Sequence, residues 1–173
     1  LLTSLGYDFK VVSIQCDEVF PEELESSKVA GYLSELKSKA FSELQKDEIL
    51  ITADTVVVLE NEILGKPKSE NEATEMLKKL SGKTHEVFTG ITVKTLTSTI
   101  TDTDVAKVTF EEISDEEIEF YINNKRPFDK AGSYGIQEWL GMSKIKKMEG
   151  SYYTIMGLPT HLLYNILNKM QSQ

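Results

Sequence analysis

The longest apolar pattern in the chain, ILITADTVVVL over residues 49–59, is interrupted by one carboxylate, Asp54. Aliphatic and β-branched side chains at odd and even positions alike predict a strand buried on both faces. Glu60-Asn61-Glu62 follows as a polar hairpin turn, Ile63-Leu64 resumes the apolar pattern, and Gly65-Lys66-Pro67 turns the chain again. Upstream, residues 9–14 read as a strand. Val29, Leu33, Leu36 and Ala40 recur at helical spacing and predict a helix over residues 22–44 with that face buried. Ser69-x-x-Glu72 and Ser114-x-x-Glu117 are capping boxes that open two more helices. The first turns Ala73, Met76, Leu77 and Leu80 inward and ends at Gly82; the second turns Ile118, Tyr121 and Ile122 inward. Between them lie two Thr- and Val-rich segments, 85–96 and 98–111, suited to antiparallel pairing. Residues 125–137 read as a polar loop, 143–148 as a short strand and 150–159 as a second loop. A last helix from Thr160 carries Leu162, Leu163, Ile166, Leu167 and Met170 on one face. No repeat or linker interrupts the series. The expected fold is α/β, a single domain over residues 1–173 with a mixed central sheet and flanking helices.

Composition narrows the partners. The 173 residues are 40% hydrophobic and 27% charged, ordinary for a globular protein. A net charge of −9 argues against a nucleic-acid polymer as partner, because binding a phosphate backbone needs a basic surface. No apolar run approaches the roughly 20 residues of a membrane span, so no membrane partner is expected. The single Cys16 forms no internal disulfide, suits a reducing cytoplasm and is expected to fill core. Leu1, Leu2 and Leu5 before Gly6 resemble the last turn and cap of a helix, so the native N-terminus is expected further upstream.

Asp54 is either a satisfied structural carboxylate or a working group at a site, and the turn that brings Lys66 back beside it favours the second. An isolated charge in a buried strand costs several kcal/mol unless a metal, a cation or hydrogen bonds compensate it. A small anionic ligand would need a few gathered lysines, and Lys39, Lys66 and Lys130 are the candidates. In Lys130-Ala131-Gly132-Ser133-Tyr134-Gly135-Ile136-Gln137 two glycines let the backbone bend and present N–H groups. Gln137 there offers the donor and acceptor that read the edge of a base. The same octapeptide reads equally as a structural turn beside a surface lysine. Gly150-Ser151-Tyr152-Tyr153 ahead of Gly157-Leu158-Pro159 is either a phosphate-facing helix entry or a plain loop. Asp102-Thr103-Asp104 follows a polar stretch and is expected to be a hairpin turn. His85 and His161 belong to no metal-ligand cluster and are expected to be structural.

Taken in order, Asp17-Glu18, Lys39-Ala40, TADTVVVLENEILGKP (52–67), LSGKTHEVFTG (80–90), KVTF (107–110), DKAGSYGIQ (129–137) and GSYYTIMGLP (150–159) resemble the Maf family of nucleotide pyrophosphatases. The resemblance spans nearly the whole chain. It implies an elongated α/β fold with a cleft, shared in outline with the inosine-triphosphate pyrophosphatases. It also implies metal-dependent hydrolysis of a nucleoside triphosphate to monophosphate and pyrophosphate. On that footing Asp54 is the expected proton acceptor that activates water, and Glu18 with Asp54 is expected to hold Mg²⁺ or Mn²⁺. Lys39 and Lys66 are expected on the phosphates, with Lys37 the alternative to Lys39, and Lys130 is expected to join them. Thr55 directly after the aspartate and Gln137 in the GIQ position match the branch acting on dTTP and UTP, not the 7-methyl-GTP branch. A homodimer is an expectation of the resemblance that no residue pattern shows, and the cytoplasm is the compartment that the lone cysteine suits. One departure stands out: the family's S-x-S-x-R-R stretch ahead of Leu1-Leu2 is absent, so impaired activity is expected. Rival expectations are a nucleotide-binding regulator of cell division without turnover, and an unrelated phosphatase that releases orthophosphate.

Overall fold

The computed structural model describes residues 1–171. The chain has helices α1 (Ser26–Ala40), α2 (Glu70–Leu80), α3 (Asp115–Lys125), α4 (Trp139–Lys144), α5 (Tyr152–Ile155) and α6 (Thr160–Gln171) and a five-stranded sheet. Its strands are β1 (Leu50–Leu59), β2 (Glu62–Leu64), β3 (Thr84–Lys94), β4 (Thr99–Phe110) and β5 (Ile145–Glu149), in the order β2-β1-β3-β4-β5. The expected α/β class with one sheet and flanking helices holds, and the sheet is antiparallel where mixed order was expected. Glu60 and Asn61 both take positive φ, the requirement of a tight turn that matches strand twist, and they pair Val57 with Leu64 and Leu59 with Glu62. α2 then carries the chain to the far side of β1, where β3 starts with the opposite sense. β4 and β5 also pair antiparallel, Lys107 with Glu149 and Val108 with Met148.

By contact density the chain forms two compact units. The first comprises residues 1–54, 89–104 and 157–171; the second comprises 55–88 and 105–156. In the first, strand alternation assigns two faces. Ile91 and Val93 of β3 join Leu163, Ile166 and Leu167 of α6 in one core, with Ile51 and Ala53 of β1 packed against it. The intervening residues face α1. Thr92 Oγ1 lies 2.9 Å from Ser34 Oγ and 2.9 Å from Thr101 Oγ1, Thr52 Oγ1 donates to the Ser34 carbonyl at 2.7 Å, and Lys94 Nζ donates to the Ser38 carbonyl at 3.0 Å. Gly90 lets the helix down onto the strand: a Cβ there would lie 2.3 Å from Gly31 N and 2.4 Å from Ala30 C.

The second unit has its own core of Val57, Leu64, Leu77, Val108, Ile118 and Tyr121 among others, with α2 against α3. Both capping serines accept the predicted backbone N–H; Ser114 completes the box with Glu117, whereas Glu72 turns to the Lys68 N–H at 2.7 Å. His85 is buried against Phe110 and Tyr134, with its Nε2 2.7 Å from the Tyr134 hydroxyl, a structural role as expected.

Several expectations are corrected. Residues 9–14 form no strand, and Phe9, Val11 and Val12 stay exposed. The helix expected over 22–44 is shorter, and Ala40 at its end is exposed. Asp102-Thr103-Asp104 lies within β4, since the hairpin turn falls at Thr95–Ser98 through the 2.8 Å Thr95 N–H to Ser98 carbonyl bond. Cys16 is half-buried in an irregular segment, not core. The loop expected to be polar is buried from Gly132 to Ile136, because Tyr121 and His85 supply its hydrogen bonds.

Two tests follow. Gly90→Ala drives a methyl into backbone that no rotamer change can move, so urea unfolding should show a loss of about 3 kcal/mol or failure to fold. Gly65→Ala, with nothing within 4 Å of the new methyl, should unfold like the parent. Burial pushes His85 down to about 4 from an ordinary 6.5. The unfolded chain therefore takes this proton first, and stability that is complete above pH 6.5 is lost as pH falls toward 4. His85→Phe should lose about 2 kcal/mol less than the parent between pH 7 and pH 5 in urea titrations.

Candidate active site

The alternation that gives Thr52 to α1 gives Asp54 to the same helix. On α1 the inward stripe runs through Val29, Ala30, Leu33, Ser34 and Ser38, and Lys37 lies one turn beyond Leu33 on that stripe. Its ammonium hydrogen-bonds Asp54 Oδ1 and sits 3.1 Å from Glu18 Oε1. The Asp54 side chain is 8% exposed and Lys37 20%, so this ion pair is shielded, whereas Glu18 at 40% reaches solvent. Burial alone would lower the Lys37 pKa, but the hydrogen bonds and charges of Asp54 and Glu18 outweigh it and hold the ammonium above the ordinary lysine value. The carboxylate in the buried strand is thus compensated by a cation. Glu18 comes from the irregular segment before α1, where the chain is free to lay a carboxylate over the helix.

Lys39, the lysine favoured from sequence, lies elsewhere. Two residues advance a helix by about 200°, so Lys39 leaves the inward stripe. Its Nζ is 2.6 Å from Glu35 Oε1 on the same helix, and its side chain is 68% exposed. Lys37, the alternative, is the one brought to Asp54 and Glu18. The helical stripe was the available signal.

The second unit gathers the other two lysines. The Gly132 N–H donates to the Gly65 carbonyl at 3.1 Å and ties the Gly65-Lys66-Pro67 turn to the loop that begins at Asp129. Gly132 has φ +68°, and a Cβ there would meet Val57 at 3.0 Å, so glycine is required. Lys130 Nζ lies 2.8 Å from Asp129 Oδ1 and 3.4 Å from Glu138 Oε1. The Lys130 hydrogen bond, helped by the charges of Lys130 and Lys66, holds the Asp129 carboxyl below its usual range. Lys66 is exposed.

Thr55 follows Asp54 in β1 and is half-buried. Gln137 is exposed and lines a pocket of about 450 Å³ with Phe120, Tyr121, Asn124 and Trp139. Glu138 and Tyr121 escaped the sequence reading, since one reads as surface charge and the other as core.

Among the described residues no group of three or more His, Cys, Asp or Glu gathers to enclose a metal. Glu18 and Asp54, however, already share one cation, and Mg²⁺ or Mn²⁺ suits one or two carboxylates plus substrate phosphates. The donor set fits an ion that completes its coordination from a ligand. It does not make a closed structural cage.

The family described as Maf-like protein matches residues 1–170. The dTTP/UTP pyrophosphatase of Flavobacterium johnsoniae is 46% identical over 167 residues, 96% of this chain and 86% of the relative. That of Flavobacterium psychrophilum is 48% identical over 162 residues, 93% of this chain and 83% of the relative. That of Phocaeicola vulgatus is 43% identical over 172 residues, 98% and 89% respectively. The chain belongs to the Maf family.

Proposed function

We propose that this protein is a nucleoside triphosphate pyrophosphatase acting on dTTP and UTP, releasing the monophosphate and pyrophosphate. The observation that carries the reading is its 43–48% identity, over nearly its whole length, to relatives named for that activity. The ion triad of Glu18, Lys37 and Asp54 supplies a chemical basis for it.

Asp54 is the group assigned to the proton of the attacking water. The water oxygen bonds to the α-phosphorus, its proton passes to the Asp54 carboxylate, and the electron pair of the broken α–β linkage leaves on pyrophosphate. Lys37 holds the Asp54 carboxylate in place. Lys66 and Lys130 are assigned to phosphate oxygens as point donors. Glu18 and Asp54 are the ligands assigned to a divalent cation, Mg²⁺ or Mn²⁺, which when bound acidifies water and offsets phosphate charge. Thr55 and Gln137 are assigned to base choice.

Asp54→Asn keeps the shape and removes the base. Pyrophosphate release from dTTP with Mg²⁺ should fall about 10³-fold. The parent should turn over dTTP and UTP well ahead of 7-methyl-GTP. Nucleotide binding without pyrophosphate release would favour the regulatory reading, and orthophosphate as product would favour a phosphatase. Lys37→Met should cost about 10²-fold in kcat/KM, whereas Lys39→Met should stay within about twofold. The reverse ranking in the same assay would return the role to Lys39.

A further inference from the structure

The loop that carries Lys130 is held by side chains that no part of the reaction above employs. Tyr121, on the buried face of α3, is fully enclosed, and its hydroxyl must find partners there. It accepts the Gly135 N–H at 3.0 Å and donates to Glu138 Oε2. The other oxygen of Glu138 lies 3.4 Å from Lys130 Nζ. The backbone closes the same circuit, with the Glu138 N–H on the Gly135 carbonyl at 3.0 Å. Gly135 sits inside it: a Cβ there would lie 3.0 Å from Glu138 Cδ and 3.1 Å from Lys130 Cε. The two side chains close over that residue because it carries only hydrogen.

We infer that Glu138 and Tyr121 are positioning residues for substrate binding, with Tyr121 fixing Glu138 and Glu138 fixing the Lys130 ammonium over Gly135. The inference rests on the assignment of Lys130 to substrate phosphate. Asp129 also touches Lys130, but its side chain is 75% exposed, so water and a bound phosphate both compete with it. Glu138 is 19% exposed and anchored at its far oxygen, which makes it the fixed partner. A lysine held in this way loses little freedom when it meets a phosphate, so the benefit falls on binding and not on the bond-breaking step.

A double-mutant cycle on the full chain tests this, with KM and kcat for dTTP and hydrogen exchange at the Gly135 amide as readouts. Glu138→Gln should raise KM about tenfold with kcat within about twofold, and should raise it no further in a Lys130→Met background. Tyr121→Phe should raise KM likewise and speed Gly135 amide exchange at least about tenfold, since its acceptor is gone. An equal KM increase from Glu138→Gln with and without Lys130, or unaltered Gly135 exchange in Tyr121→Phe, overturns the inference. A raised KM in Lys130→Met beside an unaffected Glu138→Gln sinks the positioning alone. A parent-like KM in Lys130→Met removes the phosphate assignment, and the inference falls with it.

Discussion

The first unit depends on a contact between two backbones. Ala30 and Gly31 of α1 meet Gly90 of β3 at a distance that leaves no room for a methyl group. That approach sets the depth at which the helix lies, and the hydroxyls of Ser34, Thr92 and Thr101 then come within hydrogen-bond reach of one another. Two turns beyond Ala30 the same helix delivers Lys37. A helix held off by one side-chain layer would carry that ammonium away from Asp54 and cost a shielded carboxylate its paired cation. The packing of glycine on helix and the chemistry of the carboxylate are one constraint.

The polar stripe is consistent along β1 as well. Thr52 and Asp54 face α1, while Ile51 and Ala53 pack toward α6. A strand buried on both faces therefore need not be apolar on both. One face is hydrophobic core, and the other is a layer of hydroxyls, a lysine and a carboxylate with hydrogen bonds to α1 and to Thr101 of β4. Period-2 alternation hid this in the sequence, because Val56 and Val58 return to apolar residues on the polar face.

Local signals were read well and non-local ones were not. The Ser114 capping box, the Glu60-Asn61 turn and the α6 stripe depend on neighbours within a few residues, and each formed where expected. Residues 9–14 carry strand-like composition but form no strand, since composition alone does not make one. The loop after Asp129 looked polar because its buried hydrogen bonds come from Tyr121 and His85, far away in sequence. Of the site, Asp54, Glu18, Lys66 and Lys130 were legible as candidates. Choosing Lys37 over Lys39 required only the helical wheel, because Lys37 extends the stripe of Val29 and Leu33 and Lys39 does not.

Both clusters share a plan, a lysine between two carboxylates, yet their charges differ in a way that bears on ligand choice. In the first unit one ammonium, Lys37, faces two carboxylates, the exposed Glu18 and the shielded Asp54. In the second, Lys66 and Lys130 balance Asp129 and Glu138. A chain with net charge −9 repels a triphosphate at long range, so attraction has to be local. On the proposed metal assignment, a divalent ion at Glu18 and Asp54 would turn this acidic cluster positive. The neutral cluster can instead exchange the exposed Asp129 for a phosphate oxygen while Glu138 keeps Lys130 in place. On the proposed assignments the acidic surface and an anionic substrate are compatible, with a metal at the first cluster and a phosphate oxygen in place of Asp129 at the second.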